Sequence, residues 1–307
     1  MNPLRVGVIG VGSMGRHHAR VYSQMPDVDF IGVSDLDKAA VEKIAVQYKT
    51  KAFTDYHELL SAGLDAVTIA VPTTLHKAIA LDAMDAGVHV LVEKPIADTL
   101  EAGREILQKA KDKKLKLMVG HVERFNPIIP VIKKSIEDQK VISISITRVG
   151  PLPPRVKDVG VVVDIGVHDI DIIRYLTGSE FKKIYAMTQS NIAAKEDIAM
   201  LSFVMENGVL AHITTDWLTP YKVREINIST KEKFIRGNFM TQKVSEYSSW
   251  ENSAYLVKDL FVPFGEPLVL EQQAFLNAVR TNGPSPVTGE DSLKALDVAL
   301  RCLQSGG

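Results

Sequence analysis

The 307-residue sequence is poor in cysteine: Cys302 is the only one. That excludes an intrachain disulfide and a thiolate metal cluster, and it fits a reducing, cytoplasmic compartment. No run of about 18 uninterrupted apolar residues occurs, so no membrane span is expected. The short apolar stretch near the start is broken by Gly10 and Gly12, too soon for the core of a signal peptide. There is no excess of one charge either. With 36 Lys+Arg against 37 Asp+Glu the formal net charge is −1, which speaks against nucleic acid or an anionic membrane as the main partner. Internal repeats and low-complexity tracts are absent too. What remains is a soluble, unexported chain long enough for two domains of ordinary size, whose natural partner is a small molecule.

What is present has a clear texture. Over the first 120 residues, β-rich runs at Arg5–Gly10, Phe30–Asp35, Ala66–Val71, His89–Glu93 and Leu115–Gly120 alternate with amphipathic stretches at Met14–Met25, Lys38–Tyr48, Leu75–Ala86 and Leu100–Lys113. That alternation predicts an α/β domain with a doubly wound parallel sheet, a Rossmann domain over 1–120. Beyond it, after a helix candidate following Asn126-Pro127, come Val141–Val149, Ile184–Ser190, Ala199–Met205, Val209–Thr215 and Glu225–Thr230. These predict an α+β domain over 121–307, with a largely antiparallel, open-faced sheet for substrate binding and assembly. Val161–Leu176 reads as a helix within it. Two helices are expected over Glu271–Leu303, broken at Asn282-Gly283-Pro284, with Thr288 as N-cap of the second and with both packing back on the first domain.

Gly10-Val11-Gly12-Ser13-Met14-Gly15 is a G-x-G-x-x-G between an apolar strand and a helix. Gly10 suits the tight turn, Gly12 the close approach of a pyrophosphate, and Gly15 the packing of helix on strand. The phosphates then meet the free N–H groups of the helix start, those of Ser13 and Met14 included. Asp35, 20 residues after Gly15, ends the second strand where a carboxylate accepts from ribose hydroxyls and repels a 2′-phosphate. NAD is therefore expected, with NADP left open by the nearby Lys38. Pro72 and His76, after the Ala66–Val71 strand, and Glu93 complete the candidate cofactor set. His17 and His18 do not share a helix face, so packing is preferred to metal binding, and no metal is expected.

Three further stretches lie where ligands bind in such folds. Lys94, at the carboxyl end of a strand, is placed either to hydrogen-bond a reacting hydroxyl and steady charge on its oxygen or to form a surface ion pair; position alone does not choose. On the expected helix, Asp164 and His168 at i and i+4 share a face that Asp171 continues. A carboxylate beside an imidazole suits a general base, or a structural hydrogen bond. His121, Arg124 and Asn126 follow the last strand of the first domain and are candidate substrate contacts, against an ion pair at Glu123. For a nucleotide, Arg124, Arg148, Arg155 and Lys157 are candidate diphosphate contacts. Arg155 and Lys157 flank a proline-rich loop that reads equally as solvated.

Taken together, Gly10–Gly15, Glu93-Lys94-Pro95 and Asp164-Ile165-Gly166-Val167-His168-Asp169-Ile170-Asp171, in this order, resemble the glucose–fructose oxidoreductase/inositol dehydrogenase family over essentially the whole chain. The resemblance implies a nicotinamide-dependent oxidoreductase acting on sugars or cyclitols, homodimeric or homotetrameric through the open-faced sheet. It implies catalysis by Lys94 and by Asp164 with His168, His168 as base, and a cis bond before Pro95. His121-Val122-Glu123-Arg124-Phe125-Asn126-Pro127 is similar to the H-I-E-R-F-N-P segment of the family's UDP-N-acetylglucosamine 3-dehydrogenases, with valine for isoleucine. That implies oxidation of a sugar C3 hydroxyl to a ketone. A dehydrogenase of another sugar or cyclitol, or a non-catalytic NAD-binding sensor, are the competing expectations.

Overall fold

Near-continuous apolar runs such as Val6–Ile9 and Val90–Val92 are the signature of strands covered on both faces. In the computed structural model, which describes residues 2–153, 159–248 and 254–305, they lie at the centre of a six-stranded parallel sheet. The chain divides into two compact units, Met1–His121 with Leu268–Lys294, and Val122–Pro267 with Ala295–Gly307.

In the first unit the strands are β1 (Leu4–Ile9), β2 (Val28–Ser34), β3 (Lys51–Phe53), β4 (Ala66–Ile69), β5 (His89–Glu93) and β6 (Leu117–Gly120). Their order is β3-β2-β1-β4-β5-β6, every pair parallel. This is the doubly wound order whose direction reverses between β1 and β4, and the crevice at that reversal is where such folds take a dinucleotide. The covering helices are α1 (Gly15–Gln24), α2 (Lys38–Tyr48), α3 (Tyr56–Leu60), α4 (His76–Asp85) and α5 (Leu100–Lys113). Side-chain caps start three of them: Asp37 for α2, Asp55 for α3 and Thr99 for α5. The edge strand β3 and the short α3 were not expected; three and five residues carry too little periodicity to register.

The second unit holds α6 (Ile128–Ser135), β7 (Val141–Val149), a π-helical turn at Val162–Gly166 running into α7 (Val167–Thr177), and strands β8 (Phe181–Gln189), β9 (Ile198–Met205), β10 (Leu210–Asp216), β11 (Val223–Thr230), β12 (Lys233–Asn238), β13 (Lys243–Ser248) and β14 (Leu256–Leu260). The sheet order is β14-β13-β12-β11-β7-β10-β9-β8. All neighbours are antiparallel except β10 and β7. Alternation sorts the faces: Ala199, Leu201, Phe203 and Met205 of β9 join Ile144, Ile146, Ile213, Ile226 and Ile228 in a core with Ile128 and Ile132 of α6 and Ile170 and Ile173 of α7. The opposite face carries Tyr185, Met187, Met200 and Leu210, all exposed.

Two helices end the chain, α8 (Pro267–Thr281) and α9 (Gly289–Ser305). Asn282 between them adopts φ +52°, and Asp291 N–H donates to the Thr288 hydroxyl at 3.1 Å while that hydroxyl donates back at 2.9 Å. Cys302 is buried.

Candidate active site

The glycine-rich turn follows from backbone geometry that a side chain would forbid. Gly10 has φ +88°, and a Cβ there would lie 2.5 Å from the Ala70 carbonyl oxygen. A Cβ on Gly15 would lie 1.8 Å from the Gly10 carbonyl oxygen, whereas one on Gly12 would meet nothing within 4 Å. The turn is thus packed from beneath and open at Gly12, at the start of α1, where Arg16 and His17 N–H already turn back on the Gly12 and Met14 carbonyls and the amides of Ser13 and Met14 precede them. The shape and the donor set fit a dinucleotide pyrophosphate. Asp35 braces this loop, accepting from Val11 N–H at 2.8 Å and Asp37 N–H at 3.0 Å, with lone pairs left over for hydroxyl donors.

At the end of β5 the Lys94–Pro95 bond is cis, as the resemblance implies. His76 is buried with its ring nitrogens 3.0 Å from the Pro95 and Val71 carbonyls, so it joins the ends of β4 and β5. Burial pushes its pKa down, and the neutral ring this favours donates to one of the two carbonyls at a time. Glu93 is buried as well, its carboxylate 2.8 Å from Nε2 of His18 and 3.2 Å from Lys94 N–H. His76 and Glu93, expected as cofactor contacts, are therefore engaged by the fold itself. Pro72 opens the single turn before α4. Lys94 is half-buried.

In the second unit, Asp164 lies in the π-helical turn and His168 in the first turn of α7, both buried. The helix expected over Val161–Leu176 is present, but its first part is not α-helical: i→i+5 winding replaces i→i+4 over Val162–Gly166. Such turns are frequent at functional sites. Beyond His168, α7 is enclosed on nearly every side, so each of its charges needs a partner. Asp171 accepts with both oxygens from the Nε–Nη2 edge of the Arg124 guanidinium, with Nε at 2.8 Å. Asp169 takes Arg148, with Nε at 2.9 and 3.0 Å from its oxygens.

Arg148 is 2% exposed and also donates to Glu123 at 2.8 Å; Arg224 reaches the same Glu123 oxygen at 3.1 Å. Burial alone would lower the Arg148 pKa, but Asp169 and Glu123 outweigh it and raise it. Burial would raise Glu123, yet the two arginines hold it below its ordinary value. Asp169 shows the opposite balance: burial wins over Arg148 and pushes it up to about 6.

These pairings relocate several sequence candidates. Arg148, expected against a diphosphate, is spent inside the unit. Arg124 and Asp171 satisfy each other, and Asn126 donates to the Phe239 carbonyl at 3.0 Å from a buried position. His121, in the first unit, is buried with Nε2 3.0 Å from the Ser292 hydroxyl. Arg155 and Lys157 lie outside the described residues. His18 packs at the centre of the first unit, and among the described residues no group of three His, Cys, Asp or Glu side chains is disposed to hold a metal.

A family profile described as the oxidoreductase family with an NAD-binding Rossmann fold matches residues 4–121, and one described as the GFO/IDH/MocA C-terminal domain matches residues 142–236. The chain belongs to the GFO/IDH/MocA oxidoreductase family. It is 29% identical to the UDP-N-acetylglucosamine 3-dehydrogenase of Acidithiobacillus ferrooxidans, over 97% of this chain and 96% of that one. Its structure superposes on the solved structure of that enzyme with a TM-score of 0.92 at 28% identity, covering 99% and 98% of the two chains. It is 27% identical to the scyllo-inositol 2-dehydrogenase (NAD(+)) of Bacillus subtilis, over 98% of this chain and 94% of that one.

In this GFO/IDH/MocA oxidoreductase the ion pair that the sequence offered at Glu123 is present, but sequence reasoning missed Asp169 and the half-buried Arg224 as members of one cluster with it. One signal was available: Arg148 sits at a core-facing position of a strand whose other core positions are isoleucine. A lone buried arginine demands carboxylates, although not which ones.

Proposed function

We propose that this oxidoreductase oxidises the C3 hydroxyl of UDP-N-acetylglucosamine to a ketone, with NAD as the acceptor. The observation that carries the reading is the likeness, over nearly the full length of both chains, to an enzyme of that name; the His121–Pro127 segment supports it. The nicotinamide supplies the hydride acceptor. Everything else falls to the protein. The Gly10–Gly15 turn and the α1 amides hold the pyrophosphate, and Asp35 favours NAD by repelling a 2′-phosphate. His168 takes the hydroxyl proton as the C–H hydride leaves, so that a ketone and one proton result. Asp164 orients the imidazole and stabilises its charged form. The Lys94 ammonium donates to the same oxygen and steadies its developing charge.

The likeness to an inositol dehydrogenase supports a second reading, oxidation of a free cyclitol by the same groups. Appearance of NADH absorbance separates the two when NAD is offered with UDP-N-acetylglucosamine, myo-inositol, glucose or UDP-glucose and the product is trapped. Turnover with the amino-sugar nucleotide alone is expected; turnover with free inositol alone overturns the nucleotide reading and keeps the chemistry. A His168→Ala protein that binds NAD yet turns over about 100- to 10,000-fold more slowly is the companion result. Full turnover in that variant removes His168 as base.

The exposed Tyr185, Met187, Met200 and Leu210 on one sheet face support a homodimer or homotetramer built through that face.

A further inference from the structure

The first unit buries a polar cluster at the end of β5, where Lys94 follows Glu93. Gln272, buried on α8, donates from Nε2 to Nδ1 of His18 at 2.8 Å and to the His18 carbonyl at 3.3 Å. That leaves the His18 ring proton on Nε2, aimed at Glu93 Oε1, 2.8 Å away. The other Glu93 oxygen accepts from Lys94 N–H at 3.2 Å. Gly120 of β6 leaves room for the carboxylate, since a Cβ there would lie 3.1 Å from Oε2. Glu93 is thus gripped on both oxygens by donors that favour its ionised form. Although burial would raise its pKa, His18 and the Lys94 charge bring it below the ordinary value.

One residue before Gln272 stands Glu271, wholly buried, with neither carboxylate oxygen hydrogen-bonded. Burial first, and then the charge of Glu93, push its pKa far up. Two carboxylates buried this close do not both ionise, and the donors here, His18 Nε2 and Lys94 N–H, serve Glu93. The titratable groups around Glu93 and Glu271 are His18 and Tyr22 from α1, His76 from α4 and Lys94 beyond β5.

We propose that Glu93 is the positioning residue for Lys94, its carboxylate held in place by His18, which Gln272 orients in turn. The proposal rests on the reading of Lys94 as the donor to the reacting oxygen. Glu93 acts through the lysine, accepting from its backbone N–H and setting a negative charge beside it.

The test is the pH profile of kcat/KM in the full-length enzyme, with NAD binding titrated at each pH. E93Q keeps the shape of the side chain and an acceptor for His18, but it removes the charge. Its alkaline limb is expected to move about one pH unit or more toward acid, the scale of an opposite charge nearby. NAD affinity is expected to hold. E93D restores the charge at a shorter reach; the limb should return to its wild-type position while kcat stays low, and this variant carries the test should E93Q fail to fold. E271Q should leave the limb in place and remove a protonated-carboxyl carbonyl band from the infrared spectrum. An unmoved limb in E93Q, or wild-type kcat in E93D, overturns the positioning role. A moved limb in E271Q overturns the charge assignment. K94A decides the underlying reading separately: full turnover there would sink the role of Lys94 itself, whereas loss of turnover with an unmoved E93Q limb would sink only that of Glu93.

Discussion

Arg148 shows what a single buried charge requires. Its guanidinium is held between Asp169 and Glu123, with Arg224 on the far side of Glu123. Removing one member of such a cluster leaves the others in low dielectric without compensation, at a cost of about 3–5 kcal/mol. Urea unfolding of R148M should show a loss of that size, and a loss below about 1 kcal/mol would mean that water reaches the carboxylates. Asp169 adds a pH dependence whose sign is set by its raised pKa. The folded state holds the Asp169 proton up to about pH 6, while the unfolded chain releases it near the ordinary 3.8. Between those values the folded form binds more protons, so stability falls as pH rises and stays lower above 6. The stability of wild type relative to D169N should therefore decline from pH 4 to pH 7; a constant difference would place Asp169 at its ordinary value.

Elements differ in how plainly they were written in the sequence. β1, β2, β4 and β5 are read within a residue or two because both their faces are apolar, and α2 and α5 because caps bound them. β12, β13 and β14 were missed. Their core face is thin: in β12 it consists of Ile235 and Gly237, and Gly237 leaves the space that Ile226, Ile128 and Ile132 fill. No alternation survives such economy. The π-helical turn was equally hidden, since a five-residue change of winding leaves the apolar pattern on either side intact. The glycine-rich turn lay at the other extreme, and its two kinds of glycine separate cleanly. G12A places a methyl in open space, so the urea midpoint should stay at the wild-type value while NAD binding weakens by about tenfold or more, 1.4 kcal/mol being a factor of ten. G15A drives a methyl into the Gly10 carbonyl and should lower the midpoint as well as binding. Equal midpoints for the two variants would contradict the packing beneath the turn.

At the scale of the whole molecule, the motif residues Lys94, Asp164 and His168 were visible because each sits in a short, distinctive string. The partners that fix the second unit were not, because the cluster joins positions 123, 148, 169 and 224, too far apart in sequence for any local pattern to connect them. The sheet face that alternation leaves uncovered was expected as an open face, though not the residues that line it. Met187 pairs with Met200 across β8 and β9, and Met200 with Thr214 across β10; on the same face Tyr185 lies one pair along, opposite Ser202, and Leu210 one pair further, opposite Val204. A patch of this kind, repeated on an identical chain, is self-complementary about a two-fold axis, and burying it removes apolar surface that a soluble monomer rarely exposes. Replacing both methionines by lysine puts like charges opposite each other at the centre of that contact. Sedimentation should give a dimer or tetramer for the wild type and a monomer with unchanged circular dichroism for M187K/M200K. A wild-type monomer, or an oligomer indifferent to the two lysines, would show that assembly does not use this face.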